Sequence, residues 1–203
     1  RLVGGGYVSI VKHAPRVFHL LYRAGDKISS AKRKSPVYYA NALLAGRVQA
    51  YLAAHDFDII VTPHLFPAQT LSYLRRRGRL RQKVVAVSTD YTCIPFWEET
   101  ACGYYVILHA DLAAEYEKKG IAVEKLRPYG IPVRARFLVR KPRDKARADC
   151  GLAPQGRLYL VMSGSMGFGS MSVFTALLVS QLQDGEQVAV ICGTNRKMEL
   201  VLK

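Results

Sequence analysis

Phe57-Asp-Ile-Ile-Val-Thr62 and Lys83-Val-Val-Ala-Val-Ser88 flank an amphipathic run from Pro67 to Arg77, and this order decides the fold. The two flanking runs are short and rich in β-branched residues, as strands are. The run between them reads as a helix that begins at a proline and stops at Gly78. Strand, helix, strand in this cadence builds a parallel sheet. The cadence continues with a strand at Tyr104 to Ile107 and a helix from Asp111 to Lys119 that ends at Gly120. Acids stand early and lysines late in that helix, as its dipole favours. A short strand follows at Leu126 to Tyr129. Upstream, Pro15 to Ala24 and Val37 to Ala54 read as two helices.

A break in composition follows Gly130-Ile-Pro132. Residues 134–147 hold seven basic side chains and one acid, Asp144. The cadence then restarts with strand Leu158 to Met162, a glycine-rich turn, helix Met171 to Leu182 and strand Gln187 to Cys192. Residues 1–133 are therefore expected to form one domain, 134–155 a linker, and 156–203 the start of a second. The chain has 203 residues, begins at Arg1 without a methionine and stops inside an apparent helix, so we expect a piece cut at both ends.

Half the residues are hydrophobic and the mean hydropathy is +0.03, which excludes a disordered chain. No apolar run approaches the roughly 18 residues a membrane span requires. Thirty Lys and Arg against fifteen Asp and Glu give a net charge of +15. That excess favours anionic partners: nucleic acid, phosphorylated small molecules or anionic lipid. The four cysteines are scattered without metal spacing, as reduced thiols are.

Five stretches have residues suited to chemistry. Ser163-Gly-Ser-Met-Gly-Phe-Gly169 follows a strand and precedes a helix. Its glycines let a phosphate approach backbone N–H groups, or they simply make a strand-to-helix turn. Its spacing matches neither the dinucleotide nor the Walker pattern. Ser88-Thr-Asp-Tyr-Thr-Cys-Ile-Pro-Phe-Trp-Glu-Glu99 places Asp90 just past a strand, where open α/β sheets keep functional groups. Pro95, Phe96 and Trp97 in the same loop suit an apolar substrate or a membrane interface, or else Asp90 caps a turn and Trp97 fills the core. His64 stands at the end of the first strand, as a general base, a donor to a substrate hydroxyl or a structural residue. Six cations between Arg75 and Lys83 form either a solvated helix end or a lipid-headgroup contact. The stretch Tyr7 to Tyr22 is aromatic and basic, suited to a membrane interface or to packing on its own sheet.

Several strings in order resemble one family. Val61-Thr-Pro-His-Leu-Phe-Pro-Ala-Gln69, Ser88-Thr-Asp-Tyr-Thr-x-x-Pro-Phe-Trp-Glu98 and Tyr129-Gly-Ile-Pro-Val133 are similar to motifs of the monogalactosyldiacylglycerol synthase and processive diacylglycerol glucosyltransferase family. The stretch Tyr7 to Tyr22, the glycine loop and Val190-Ile-Cys-Gly-Thr-Asn195 resemble that family as well. One departure is Ile94, where the family often has histidine before Pro-Phe-Trp.

The resemblance implies an α/β protein of GT-B type. Its Rossmann-like acceptor domain is incomplete at the N-terminus and is followed by the first part of a Rossmann-like nucleotide-sugar domain. The implied reaction moves a hexose from UDP-glucose or UDP-galactose to the 3-hydroxyl of diacylglycerol with inversion. No metal or cofactor is needed beyond the UDP-sugar donor, since helix N-terminal amides and side chains can stabilise the departing diphosphate. His64 and Asp90 are then catalytic candidates, and Pro95, Phe96 and Trp97 meet the lipid. Ser163, Gly164, Ser165, Gly167, Gly169 and Asn195 approach the donor.

The expected place is the cytoplasmic face of the cell membrane, held peripherally by anionic lipid and without nucleic acid. The family's N-terminal glycine-rich loop and C-terminal nucleotide-gripping motif are absent from these residues, so the piece alone is expected to be inactive. Related enzymes acting on another lipid carrier, such as an undecaprenyl-diphosphate sugar, are the nearest alternative. A basic nucleic-acid-binding module is the alternative outside enzymes.

Overall fold

A computed structural model of the chain describes residues 29, 30, 33–164 and 171–202. The expected helix at Pro15 to Ala24 and the aromatic stretch Tyr7 to Tyr22 lie outside them. The chain divides into two compact units, residues 1–132 and 133–203.

In the first unit, helices α1 (Pro36–Ala42) and α2 (Ala45–Ala53) precede strand β1 (Ile59–Thr62). Helix α3 (Leu65–Arg76), strand β2 (Lys83–Val87), strand β3 (Tyr104–Val106), helix α4 (Ala113–Lys118) and strand β4 (Leu126–Arg127) follow. The strands pair in the order β1-β2-β3-β4, all parallel, with Thr62 beside Ala86 and Val87 beside Val106. Leu65, Ala68, Leu71 and Leu74 recur at helical spacing on α3 and share one core with Val84, Ala86, Tyr105 and Ile107. Burying each leucine stabilises the unit by about 1.5–3 kcal/mol.

Two elements differ from the expectation, each for a local reason. The helix read from Val37 to Ala54 is two helices. The Asn41 carbonyl, which would accept from Ala45 in an unbroken helix, accepts the Thr70 hydroxyl at 3.0 Å and the Leu44 N–H at 3.1 Å. Helix α3 starts at Leu65, two residues before Pro67, because His64 caps it. Pro67 then sits in the first turn, where no N–H is needed.

The second unit contains helix α5 (Arg143–Asp149), strand β5 (Leu158–Met162), helix α6 (Met171–Val179), strand β6 (Gln187–Ile191) and helix α7 (Arg196–Leu202). Strands β5 and β6 are parallel, with Leu158 beside Gln187 and Met162 beside Ile191. The core is small, with Val161, Met171 and Met198 at its centre. Helix α5 falls within residues 134–155. Its buried Arg147 donates to the carbonyls of Ala153, Pro154, Gln155 and Gly156 and so shapes the approach to β5. Both units are α/β with parallel strands, the fold class that the alternating pattern implies.

Candidate functional site

The carboxyl ends of β1 and β2 are adjacent, so the loops that carry His64 and Asp90 leave the same edge of the first sheet. His64 is exposed and serves as the N-cap of α3. Its Nδ1 accepts from the Phe66 N–H at 3.2 Å, and its ring meets Phe66 edge-on with centroids 4.9 Å apart. Thr62, buried beneath, donates its hydroxyl to the His64 carbonyl at 3.0 Å. In the neutral ring this leaves the proton on Nε2. In this pose the Nε2–H can donate to an oxygen. His109 plays the same capping part after β3, with Nδ1 accepting from the Asp111 N–H at 3.3 Å.

Asp90 and Tyr91 are exposed at the tip of the loop that leaves β2. The loop is tied down on both sides of them. Before the tip, Ser88 is buried and accepts the Tyr116 hydroxyl at 2.6 Å. Burial pushes the Tyr116 phenol up to about 12. After the tip, one Glu115 oxygen accepts the Cys93 N–H at 2.9 Å and the Thr92 hydroxyl at 2.7 Å. These two bonds, the Cys93 amide first, hold the Glu115 carboxyl below its usual range. Asp90 is thus an exposed carboxylate on an anchored loop, suited to accept a proton or hold a hydroxyl.

The structure corrects the expectation for the aromatic residues. Phe96 and Trp97 are 4% and 2% exposed and belong to the core, with Trp97 edge-on to Tyr105 at 6.2 Å. Neither ring offers a surface to lipid here, because the chain turns inward at Phe96, which holds φ at 78°. Pro95, which is only partly buried, stands at that inward turn.

The acids after Trp97 matter more than the sequence suggested. Glu98 and Glu99 are 6% and 0% exposed. Glu99 accepts from the Ser35 N–H, from the Ser35 hydroxyl at 3.0 Å and from the Gln69 amide at 2.6 Å. Gln69 in turn accepts from Asn41 at 2.7 Å. Glu98 accepts the Ser29 hydroxyl, and its second oxygen is buried without a partner among the described residues. Nearby, burial and then Arg76 push the Lys34 ammonium below its usual range. The available signal was an acidic pair set between apolar residues in a chain where cations outnumber acids two to one.

In the second unit, Ser163 and Gly164 leave the carboxyl end of β5, and Asn195 lies past the carboxyl end of neighbouring β6. Gly164 has φ of 72°. The Asn195 carboxamide oxygen accepts the Met198 N–H at 3.1 Å and so caps α7. Ser165, Gly167 and Gly169 lie outside the described residues. No group of three His, Cys, Asp or Glu side chains that could hold a metal occurs among the described residues.

Four cations of the basic run before β2 are bound up in the fold. Arg75 donates to the Gln82 carbonyl and Arg76 to that of Glu99, Arg77 covers the Tyr73 ring at 4.7 Å, and Arg79 donates to Gln49. An open groove of about 730 Å³ runs beside it, lined by Gln49, Leu52, His55, Arg79 and Arg81 among others. This groove is at the amino end of the sheet, away from His64 and Asp90.

The family model for monogalactosyldiacylglycerol (MGDG) synthase matches residues 2–133. Monogalactosyldiacylglycerol synthase of Spinacia oleracea is 29% identical over 202 residues, covering 95% of this chain and 38% of that protein. The processive diacylglycerol beta-glucosyltransferase of Bacillus licheniformis is 26% identical over 204 residues, covering 97% of this chain and 50% of its own length. The chain therefore spans half or less of these curated relatives. Among solved structures, the apo form of the lipopolysaccharide outer core galactosyltransferase WaaB superposes with a TM-score of 0.45 at 14% identity, covering 81% of this chain and 45% of that one.

Proposed function

Because the chain belongs to the monogalactosyldiacylglycerol synthase family, we propose that the protein containing it transfers a hexose from UDP-glucose or UDP-galactose to diacylglycerol. The observation that carries this reading is the family match across residues 2–133, which includes His64, Asp90 and the Pro-Phe-Trp loop. The relatives in plants and in Bacillus are named for the same acceptor lipid, which supports it.

In this reading the 3-hydroxyl of diacylglycerol attacks the anomeric carbon, the bond to the diphosphate breaks, and the hydroxyl proton passes to a base. Asp90 fits the base or the hydroxyl-orienting group, since its carboxylate is exposed at the sheet's carboxyl edge. His64, with its proton on Nε2, fits a donor to a substrate oxygen. Ser163 and Gly164 would meet the donor diphosphate at the corresponding edge of the second sheet, together with Ser165, Gly167 and Gly169. Asn195 would stand beside them. Neutralisation of the diphosphate by backbone amides and side chains needs no metal. Trp97 supports the loop from beneath. The enzyme works peripherally on the cytoplasmic face of an anionic membrane, which a +15 chain suits.

The test incubates the intact protein with radiolabelled UDP-glucose or UDP-galactose and diacylglycerol in anionic vesicles. A labelled glycolipid from one sugar establishes both the reaction and the donor. A folded protein that makes none, but labels a polyprenyl-diphosphate sugar, would move the acceptor to another lipid carrier.

A further inference from the structure

The turn between α1 and α2 is apolar, exposed and placed at the sheet edge that carries His64 and Asp90. Leu43 is 85% exposed, Tyr39 58% and Leu44 37%. Single exposed leucines are ordinary, but adjacent ones a helical turn from an exposed tyrosine are not. The turn's place follows from the packing of α2. The last turn of α2, Gln49 to Ala53, lines the groove with Gly78 to Gln82, at the amino end of the sheet. Its first turn therefore points toward the carboxyl end. The bonds from Thr70 to Asn41 and from Asn41 to Gln69 fix the preceding helix on α3.

Charge identifies the occupant. Between Lys27 and His55 the chain carries Lys27, Lys32, Arg33, Lys34 and Arg47 and not one acid. Arg47 is exposed one helical turn from Leu43 and Leu44. Among the described residues, Glu98 and Glu99, which accept from Ser29 and Ser35 ahead of α1, are buried. Two leucines at the tip, a tyrosine one helical turn before them and Arg47 one turn after them have the composition of an interfacial wedge, apolar side chains entering the headgroup layer and a cation meeting lipid phosphate.

We infer that the α1–α2 turn, through Leu43, Leu44 and Tyr39 with Arg47 beside them, inserts into the headgroup region of an anionic bilayer and holds the acceptor edge of the sheet against it. The inference rests on the lipid-acceptor reading for its purpose, and on exposure and charge for its place.

The test measures binding of the intact protein to sedimenting vesicles of phosphatidylglycerol in phosphatidylcholine. Leu43→Ser with Leu44→Ser is expected to lower the partition constant at least about tenfold. Arg47→Gln is expected to weaken binding severalfold up to about 0.1 M salt and little at about 1 M, where the screening length is about 3 Å. Val123→Ser, at another exposed apolar residue, leaves binding unchanged. The ratio of sugar transfer on vesicles to transfer in detergent falls with the leucine pair. Vesicle binding equal to wild type in the leucine variant overturns the inference. So does loss of a dimer in sedimentation with vesicle binding intact, which would assign the turn to a second copy of the chain. If the wild type transfers no sugar in either medium, the transferase reading fails alone, and the binding comparison still decides the turn's role.

Discussion

Glu99 shows what a single buried acid does in this fold. It has no exposed surface, yet its carboxylate accepts from Ser35 twice and from Gln69. A carboxyl group so far from water is tolerable only with such partners. Together they tie the end of the Asp90 loop to α1 and α3. Replacing Glu99 with alanine strands three buried donors and should cost about 3 kcal/mol or more. Replacing it with glutamine keeps an oxygen for Ser35 but sets an amide against the Gln69 amide, so the loss should be roughly half as large. The urea midpoint at unchanged slope measures both. An alanine variant as stable as the wild type would mean that the network only decorates a fold held by its core.

Asn195 poses the same question for an element, because one side chain is given two parts. As the N-cap of α7 it satisfies the Met198 N–H; as a donor-site residue it would face a diphosphate. Asn195→Ala removes both and should cost about 1 kcal/mol of stability. Asn195→Asp keeps a capping oxygen and should hold the stability while its charge repels the diphosphate, raising KM for the UDP-sugar severalfold. An aspartate variant with unchanged KM would leave Asn195 a cap and nothing more.

Elements of this kind were largely legible in the sequence. Strands β1, β2 and β6 are β-branched runs and β5 an apolar one, and each formed within two residues of the expected place at either end. Helix starts were less legible, since His64 caps α3 through a ring nitrogen and the break after α1 depends on Thr70, 29 residues away. The site was legible only as a set of loop tips. Asp90 could be placed at a strand end by pattern alone, but Glu99, Gln69 and Asn41 meet across separations of 28 and 30 residues that no local pattern encodes. Trp97 misled because a Pro-aromatic string has the same composition whether it faces lipid or core.

At the scale of the whole chain, a charge of +15 says that anionic surfaces attract it but not which face they meet. The structure separates the cations by position. Arg47 starts α2 near the carboxyl edge of the first sheet, whereas Arg81 stands at the amino end, before β2. Strands of four or five residues put about 15 Å between the two ends. The screening length is about 10 Å at 0.1 M salt and about 30 Å at 0.01 M. If the carboxyl edge meets the bilayer, Arg47→Gln should weaken vesicle binding at both ionic strengths. Arg81→Gln should weaken it only at the lower one, where its field still reaches the lipid. Each well-placed cation contributes about 1 kcal/mol, or about fivefold in binding, so the contrast is measurable. Equal effects at 0.1 M salt would mean that the protein lies on the membrane with the strands parallel to it, and that Leu43 and Leu44 are not its point of entry.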